Sequence, residues 1–159
     1  MTTKRSERFV AANDPRAADV RALLGRHLAF AAATTAPEDI FALDVDELAA
    51  AAVTFVSYRD GSELLGVGAL KELDPTHGEL KSMHTAEAAR GRGVGAAIVT
   101  YLLGLARERG YTHVSLETGA GPAFEPARRL YARAGFTPCG AFGDYVPSPN
   151  SAYMTLALR

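Results

Sequence analysis

Apolar and polar positions alternate along this chain in two periods, and the switches between them mark the elements. "RFVAA" (8–12) reads as a first strand. Asp14-Pro15 follows, a helix N-cap residue and a proline suited to the first helical position. Val20, Leu23, Leu24, His27, Leu28 and Ala31 then recur at helical spacing. "TTAPEDIFALD" (34–44) breaks that helix, and "DELAA" (46–50) predicts a short second one. "VTFVSY" (53–58) and "LLGVGALKEL" (64–73) are strands joined at an Asp60-Gly61 turn, and Asp74-Pro75 with Gly78 marks the next turn. "ELKSMHT" (79–85) is a strand. After Gly95, Ile98, Leu102, Leu105 and Arg109 continue a helix that Gly110 stops. "HVSLET" (113–118) is a strand and "PARRLYARA" (126–134) a helix closing at Gly135. "FTPCGAF" (136–142) and "AYMTLAL" (152–158) are the last strands. The sum is a mixed α/β chain, strands first and then a β-α-β-α-β-β tail.

Bulk properties narrow the class. The chain has 159 residues, which suits one domain with one core, residues 1–159. Apolar residues make up 48% and charged residues 22%, a globular balance, and the net charge of −1 predicts no nucleic-acid or membrane partner. The single cysteine, Cys139, excludes an intramolecular disulfide and a cysteine-rich metal cluster. His27, His77, His84 and His113 never stand three or four apart, so no helical metal pair is expected. "MTTKRSERF" lacks the apolar core of a signal peptide, and the expectation is a cytoplasmic protein.

The densest signal is "EAARGRGVGAAIV" (87–99). Gly91, Gly93 and Gly95 alternate just before a helix, with Arg90 and Arg92 around the first. A helix start offers unpaired N–H groups and a positive dipole end, where phosphates bind. Missing Cβ atoms let a pyrophosphate approach the main chain, and the arginines add charge-assisted contacts. "GRGVGA" also satisfies the dinucleotide fingerprint, with Glu117 at the place of a ribose-binding acid, so a nicotinamide-dependent oxidoreductase stays as an alternative. Against it, polar "AEAA" and Arg90 separate the strand from the first glycine. A P-loop fails because no Gly-Lys-Ser/Thr follows.

Arg90–Gly91–Arg92–Gly93–Val94–Gly95 resembles the R/Q-x-x-G-x-G/A motif of the GNAT superfamily of acyl-CoA-dependent N-acetyltransferases. "ARRLYARAGF" (127–136) resembles that superfamily's A-x-x-L-Y-x-x-x-G-F helix and turn, in the expected order and with one strand between. The element order fits over nearly the whole chain. "GELKSMHT" and "FGDYVPSPNSAYM" (142–154) are similar to a sparsely characterised bacterial branch. The resemblance implies a central, mostly antiparallel sheet with one splayed parallel pair, flanked by helices. It implies acetyl-CoA as cosubstrate, no metal, and pyrophosphate held on amides of Arg92, Gly93, Val94, Gly95 and Ala96, with Arg90 and Gly91 alongside. The pantetheine arm is then expected on Met83, His84 and Thr85, with an oxyanion-binding amide at Met83 or its neighbour. Dimers are frequent in that superfamily.

The same resemblance makes Tyr131 the acid for the leaving thiol; a phenol with a pKa near 10 keeps its proton at neutral pH. The helical face shared by Ala127, Leu130, Tyr131 and Ala134 equally suits a core tyrosine. Freeing a lysine-like amine of its proton at pH 7 costs roughly 4.6 kcal/mol, which a nearby base can help to meet. The carboxylates of Glu79 and Glu117 and the imidazole of His84 are the candidates. Two departures stand out: Phe124 occupies the position where many members carry an asparagine, and Glu87 the position of a usual proline. A ring at Phe124 is expected to pack on the coenzyme arm or to close the pocket. For the acceptor, a primary amine of a small or amino-acid-like molecule with a peptide N-terminus or lysine side chain as the alternative, the loops 34–44 and 143–153 supply Glu38, Asp39, Asp44, Asp144 and Tyr145. A non-catalytic acyl-CoA sensor is the remaining alternative.

Overall fold

A computed structural model describes residues 8–34, 50–143 and 145–158, with only the backbone of 27–34. The expected helix at 46–50, most of the acceptor loop 34–44 and Asp144 lie outside these residues. Strands β1 (Arg8–Ala12), β2 (Val53–Asp60), β3 (Glu63–Asp74), β4 (His77–Thr85), β5 (His113–Gly119), β6 (Thr137–Cys139) and β7 (Ser151–Ala157) form a sheet in the order β1-β2-β3-β4-β5-β7-β6. Every neighbouring pair is antiparallel except β4 with β5. Helix α1 (Ala18–Thr34) precedes β2, α2 (Val94–Glu108) links β4 to β5, and α3 (Glu125–Arg133) precedes β6.

Helices cover both faces because the strands alternate their apolar positions. On one face Leu70, Leu80, Val114, Leu116 and Met154 pack against Ile98, Val99, Leu102 and Tyr131 of α2 and α3. On the other, Phe55, Val67 and Ala69 meet Val20, Leu23 and Leu24 of α1. Each such aliphatic side chain contributes about 1.5–3 kcal/mol by leaving water. Helix α2 lies close to β3 because that strand has glycines beneath it. A Cβ on Gly66 would fall 2.6 Å from Val94 Cγ1, and one on Gly68 2.6 Å from Ile98 Cγ2.

Three expected boundaries move. Gly78, expected in a turn, lies inside β4, paired with Glu72 and Val114. Asp14 does not cap α1. Its carboxylate accepts from the Arg16 amide at 2.8 Å and its carbonyl from Ala17 at 3.1 Å, closing a turn before the helix starts at Ala18. The strand expected over 136–142 is only Thr137–Cys139. Pro138 has no N–H and is tolerated only at a sheet edge. Beyond Gly140 the chain leaves the sheet so that Phe142 packs on Tyr145, Tyr153 and His77.

Two features of β4 shape the site. Its parallel ladder with β5 runs from His77↔His113 to Leu80↔Leu116 and stops there, so the two strands diverge beyond it. Its antiparallel ladder with β3 slips between Lys81↔Ala69 and His84↔Val67, which leaves Ser82 and Met83 together opposite Gly68. Ser82 takes φ 54°, a left-handed conformation rare for a residue with a side chain. This is a β-bulge, a device that re-aims a strand.

Candidate active site

The divergence of β4 and β5 opens a cleft of about 620 Å³. One end is closed by the turn Glu87–Ala89, the glycine loop and the head of α2. Gly91 and Gly93 have φ 76° and 75°, and Gly93 is the N-cap of α2. The first amide of this turn to reach a helical carbonyl is Ala97, which donates to Gly93 at 3.1 Å. The amides of Val94, Gly95 and Ala96 precede it, at the positive end of the helix. A Cβ at Gly91 or Gly93 would meet nothing within 4 Å, so these two glycines serve backbone conformation. Gly95 differs: a Cβ there would lie 2.8 Å from Leu130 Cδ2, so it is bare to let α3 approach α2. Gly95 thus has a packing role in addition to the one expected of it from sequence.

The middle of the cleft is lined by Met83, His84 and Thr85 of β4, which lie beyond the last β4–β5 pair, and by Thr118 and Gly119 of β5. Phe124 lines the cleft, and its ring lies over Gly119, where any Cβ would collide with it. Arg128 fixes this corner, donating from Nη1 to the carbonyls of Gly119 at 2.6 Å and Gly121 at 2.9 Å. Tyr131 is 6% exposed, packs edge-on against Phe136 and lines the cleft. Its hydroxyl has no hydrogen-bond partner among the described residues. Burial pushes its phenol well above the ordinary value, so it holds its proton more firmly than a free tyrosine.

The far end is polar. Glu79 is 3% exposed. The Tyr145 hydroxyl donates to Glu79 Oε2 at 2.5 Å, and Lys81 Nζ donates to the same oxygen at 3.1 Å and to the Tyr145 hydroxyl at 2.7 Å. The three side chains form a closed ring. Burial first, and then the Glu79 charge, raise the Tyr145 phenol well above its usual value, and the charge of Glu117 adds to this. Tyr145 is braced by Phe142 and Tyr153, with ring centroids 5.2 and 5.7 Å away, and Tyr153 anchors the loop by donating to the Val146 carbonyl at 3.1 Å. Glu117 and His84 also line this cleft.

Of the residues singled out from sequence, Glu79, Met83, His84, Thr85, Arg90, Gly91, Gly93, Val94, Gly95, Ala96, Glu117, Phe124, Tyr131 and Tyr145 share this lining; Arg92 does not, and Asp144 lies outside the described residues. Lys81 was not among them. Its signal was the Glu-x-Lys spacing in "ELKSMHT", which puts both side chains on one face of a strand. The Ser82 bulge had no sequence signal. Among the described residues no group of three or more His, Cys, Asp or Glu is placed to hold a metal ion, and no helix is long and apolar enough to cross a membrane.

A parallel pair splayed open beside a helix N-terminus, in an otherwise antiparallel sheet, defines a class: proteins that hold an acyl thioester of coenzyme A between two strands. The turn Glu87–Ala89 between β4 and the first glycine, and the antiparallel sheet, do not match a dinucleotide-binding fold. The chain belongs to the acetyltransferase (GNAT) family, whose pattern matches residues 21–136. It is 44% identical over 139 residues to YsnE of Bacillus subtilis (strain 168), covering 87% of this chain and 92% of that one. It is 42% identical over 139 residues to YedL of Escherichia coli (strain K12), covering 87% of each. Both are named as uncharacterized N-acetyltransferases. A protein from Klebsiella pneumoniae subsp. pneumoniae assigned as an acyl-CoA N-acyltransferase superposes with TM-score 0.79 at 26% identity, over 98% of this chain and all of that one. The fold is shared with a GNAT family acetyltransferase from Elizabethkingia anophelis solved with acetyl-CoA bound, at TM-score 0.69, 17% identity and coverage of 97% and 100%. The chain is thus an N-acetyltransferase of the kind that uses an acyl-CoA cosubstrate.

Proposed function

We propose that residues 1–159 act as one N-acetyltransferase domain that moves the acetyl group of acetyl-CoA to the primary amine of a small or amino-acid-like acceptor. The observation that carries this is the content of the cleft between β4 and β5: helix-head amides, the strand segment Met83–Thr85, the Tyr131 hydroxyl and two carboxylates. Bound acetyl-CoA supplies a thioester, which the amine attacks directly; a C–N bond forms, the C–S bond breaks and the thiol leaves.

The chain's own residues meet the needs of that step. The amides of Val94, Gly95 and Ala96, with Arg90, suit a diphosphate. The edge Met83–Thr85 suits an extended amide-bearing arm, which would pair there as an added strand. The bulge takes Ser82 and Met83 out of the β3 register, and the main-chain N–H of Met83 or its neighbour suits the negative charge that develops on the thioester oxygen. Tyr131 delivers a proton to the leaving sulfur. Glu79 and Glu117 draw in the cationic amine and take its proton, directly or through water. Phe124 stands where a polar contact to the arm is common in the family, and its ring closes the pocket over Gly119.

The test is a thermal-shift comparison of acetyl-CoA and NADPH, followed by a thiol-release assay with primary amines. Acetyl-CoA is expected to raise the melting temperature by mass action, NADPH is not, and thiol release is expected to require an amine. A shift with acetyl-CoA but no release over a broad amine panel would replace the enzyme with an acyl-CoA sensor.

A further inference from the structure

We infer that the acceptor is an α-amino acid taken as its zwitterion, with Glu79 receiving the amine to be acetylated and Lys81 receiving the carboxylate beside it. This narrows the acetyl-transfer proposal above and depends on it.

The inference comes from what the Glu79–Lys81–Tyr145 ring leaves unused. A lysine ammonium carries three N–H groups. Lys81 donates one to Glu79 Oε2 at 3.1 Å and one to the Tyr145 hydroxyl at 2.7 Å. The carboxylate of Glu79 accepts both of its bonds, from Lys81 and Tyr145, at Oε2. Among the described residues, one N–H of Lys81 and the Oε1 of Glu79 therefore remain. They belong to side chains on the same face of β4, two residues apart, and both residues line the cleft. Both side chains are otherwise removed from water, at 8% and 3% exposure.

A donor and an acceptor left open on the cleft wall by two largely buried side chains have a definite complement. The partner needs a cation and an anion one short step apart, which is the main chain of a free amino acid. An amine without a carboxylate answers Glu79 and leaves the Lys81 N–H unanswered; a carboxylate without an amine does the reverse. Sites built to pair a polar group reject ligands that lack it, because the buried partner is left unsatisfied. Glu117 lines the same cleft and its charge reaches Tyr145, so among the described residues a second carboxylate stands beside the Glu79–Lys81 pair. That balance disfavours a simple acid and favours a ligand that brings an ammonium of its own. Tyr145 keeps the arrangement in place, because its hydroxyl bridges the pair and its ring is held by Phe142 and Tyr153.

The experiment measures thiol release by the full chain with acetyl-CoA and a panel of free α-amino acids, each beside its amide and its decarboxylated amine. The expected result is kcat/KM at least tenfold higher for the best amino acids than for their amides and amines. In Lys81→Met this preference should fall to near one, mainly through KM, whereas Lys81→Arg should keep most of it; a thermal shift with coenzyme A checks that each variant is folded. Amides or amines that match or exceed the amino acids in the unmodified chain would overturn the inference while leaving acetyl transfer intact. Acetyl-CoA binding with no release by any member of the panel would remove both. If Lys81→Met does not fold, the panel on the unmodified chain still decides.

Discussion

At the α2 end of the cleft the groups facing a ligand are main-chain amides with the Arg90 side chain beside them; at the Glu79 end they are side chains alone. The first set comes from consecutive residues, Gly91 to Ala96, whose arrangement is fixed by two left-handed glycines and a helix start. The second is assembled from β4, β5 and the loop before β7, with Glu79 and Tyr145 lying 66 positions apart in the chain. The ends should therefore fail in opposite ways. The main-chain end is damaged by adding a side chain and tolerates removing one. The side-chain end is damaged by removing a single functional group.

The sharpest way to break this comparison is Gly93→Val. At φ 75° a β-branched residue is strained by roughly 1–2 kcal/mol, and relief turns the peptide away from the ligand. Affinity for coenzyme A, measured by calorimetry, is expected to fall more than about 100-fold, the loss of two or more charge-assisted hydrogen bonds. Arg92→Gln should change it by no more than about threefold, since Arg92 stands outside the lining and an exposed charge contributes little. Equal losses in the two variants would mean that the arginine side chain, and not the backbone, holds the diphosphate.

The same contrast explains what was legible in the sequence. A main-chain site has to be written locally, so the run from Arg90 to Ala96 reads as a motif. The local A-x-x-L-Y spacing likewise located Tyr131. Even so, the sequence shows that a glycine is present and not why. Gly91 and Gly93 are there for φ, but Gly95 is there for Leu130, and only the packing of α3 on α2 separates the two reasons. Lys81 escaped notice because a lysine on a strand is ordinarily solvated, and nothing in the sequence places Tyr145 over it. The bulge at Ser82 depends on the register of β4 against β3, a long-range property. The end of β6 was misread because apolar residues continue past Pro138, while Phe142 is apolar for the sake of Tyr145 and Tyr153.

A second substitution probes the floor that both ends share. Gly68 of β3 faces the bulge and the underside of α2 at once; a Cβ there would lie 2.6 Å from both Met83 Sδ and Ile98 Cγ2. Gly68→Ala is expected to cost about 1–3 kcal/mol through overpacking, measured by urea unfolding. Gly104→Ala in α2, where an added Cβ meets nothing within 4 Å, should stabilise by up to about 1 kcal/mol through helix propensity. Comparable changes of the same sign would show that α2 does not rest on β3 as closely as described.

The smallest effect concerns Tyr131, which sits between the two ends and whose hydroxyl has no partner among the described residues. Burial raises its phenol above the ordinary value of 10.0. Below that value the group is protonated in the folded and unfolded chains alike, and its contribution to stability is fully present. Above it the unfolded chain releases the proton while the folded chain keeps it, so stability falls as pH rises, by at most about 1.4 kcal/mol per pH unit for one proton. Tyr145 and Tyr111 are shifted in the same direction and add to the wild-type slope. Tyr131→Phe should therefore lower the slope of unfolding free energy between about pH 10 and 11 by close to one proton and leave stability near pH 7 within about 1 kcal/mol. An unchanged slope would mean that burial does not raise the Tyr131 phenol in the folded chain.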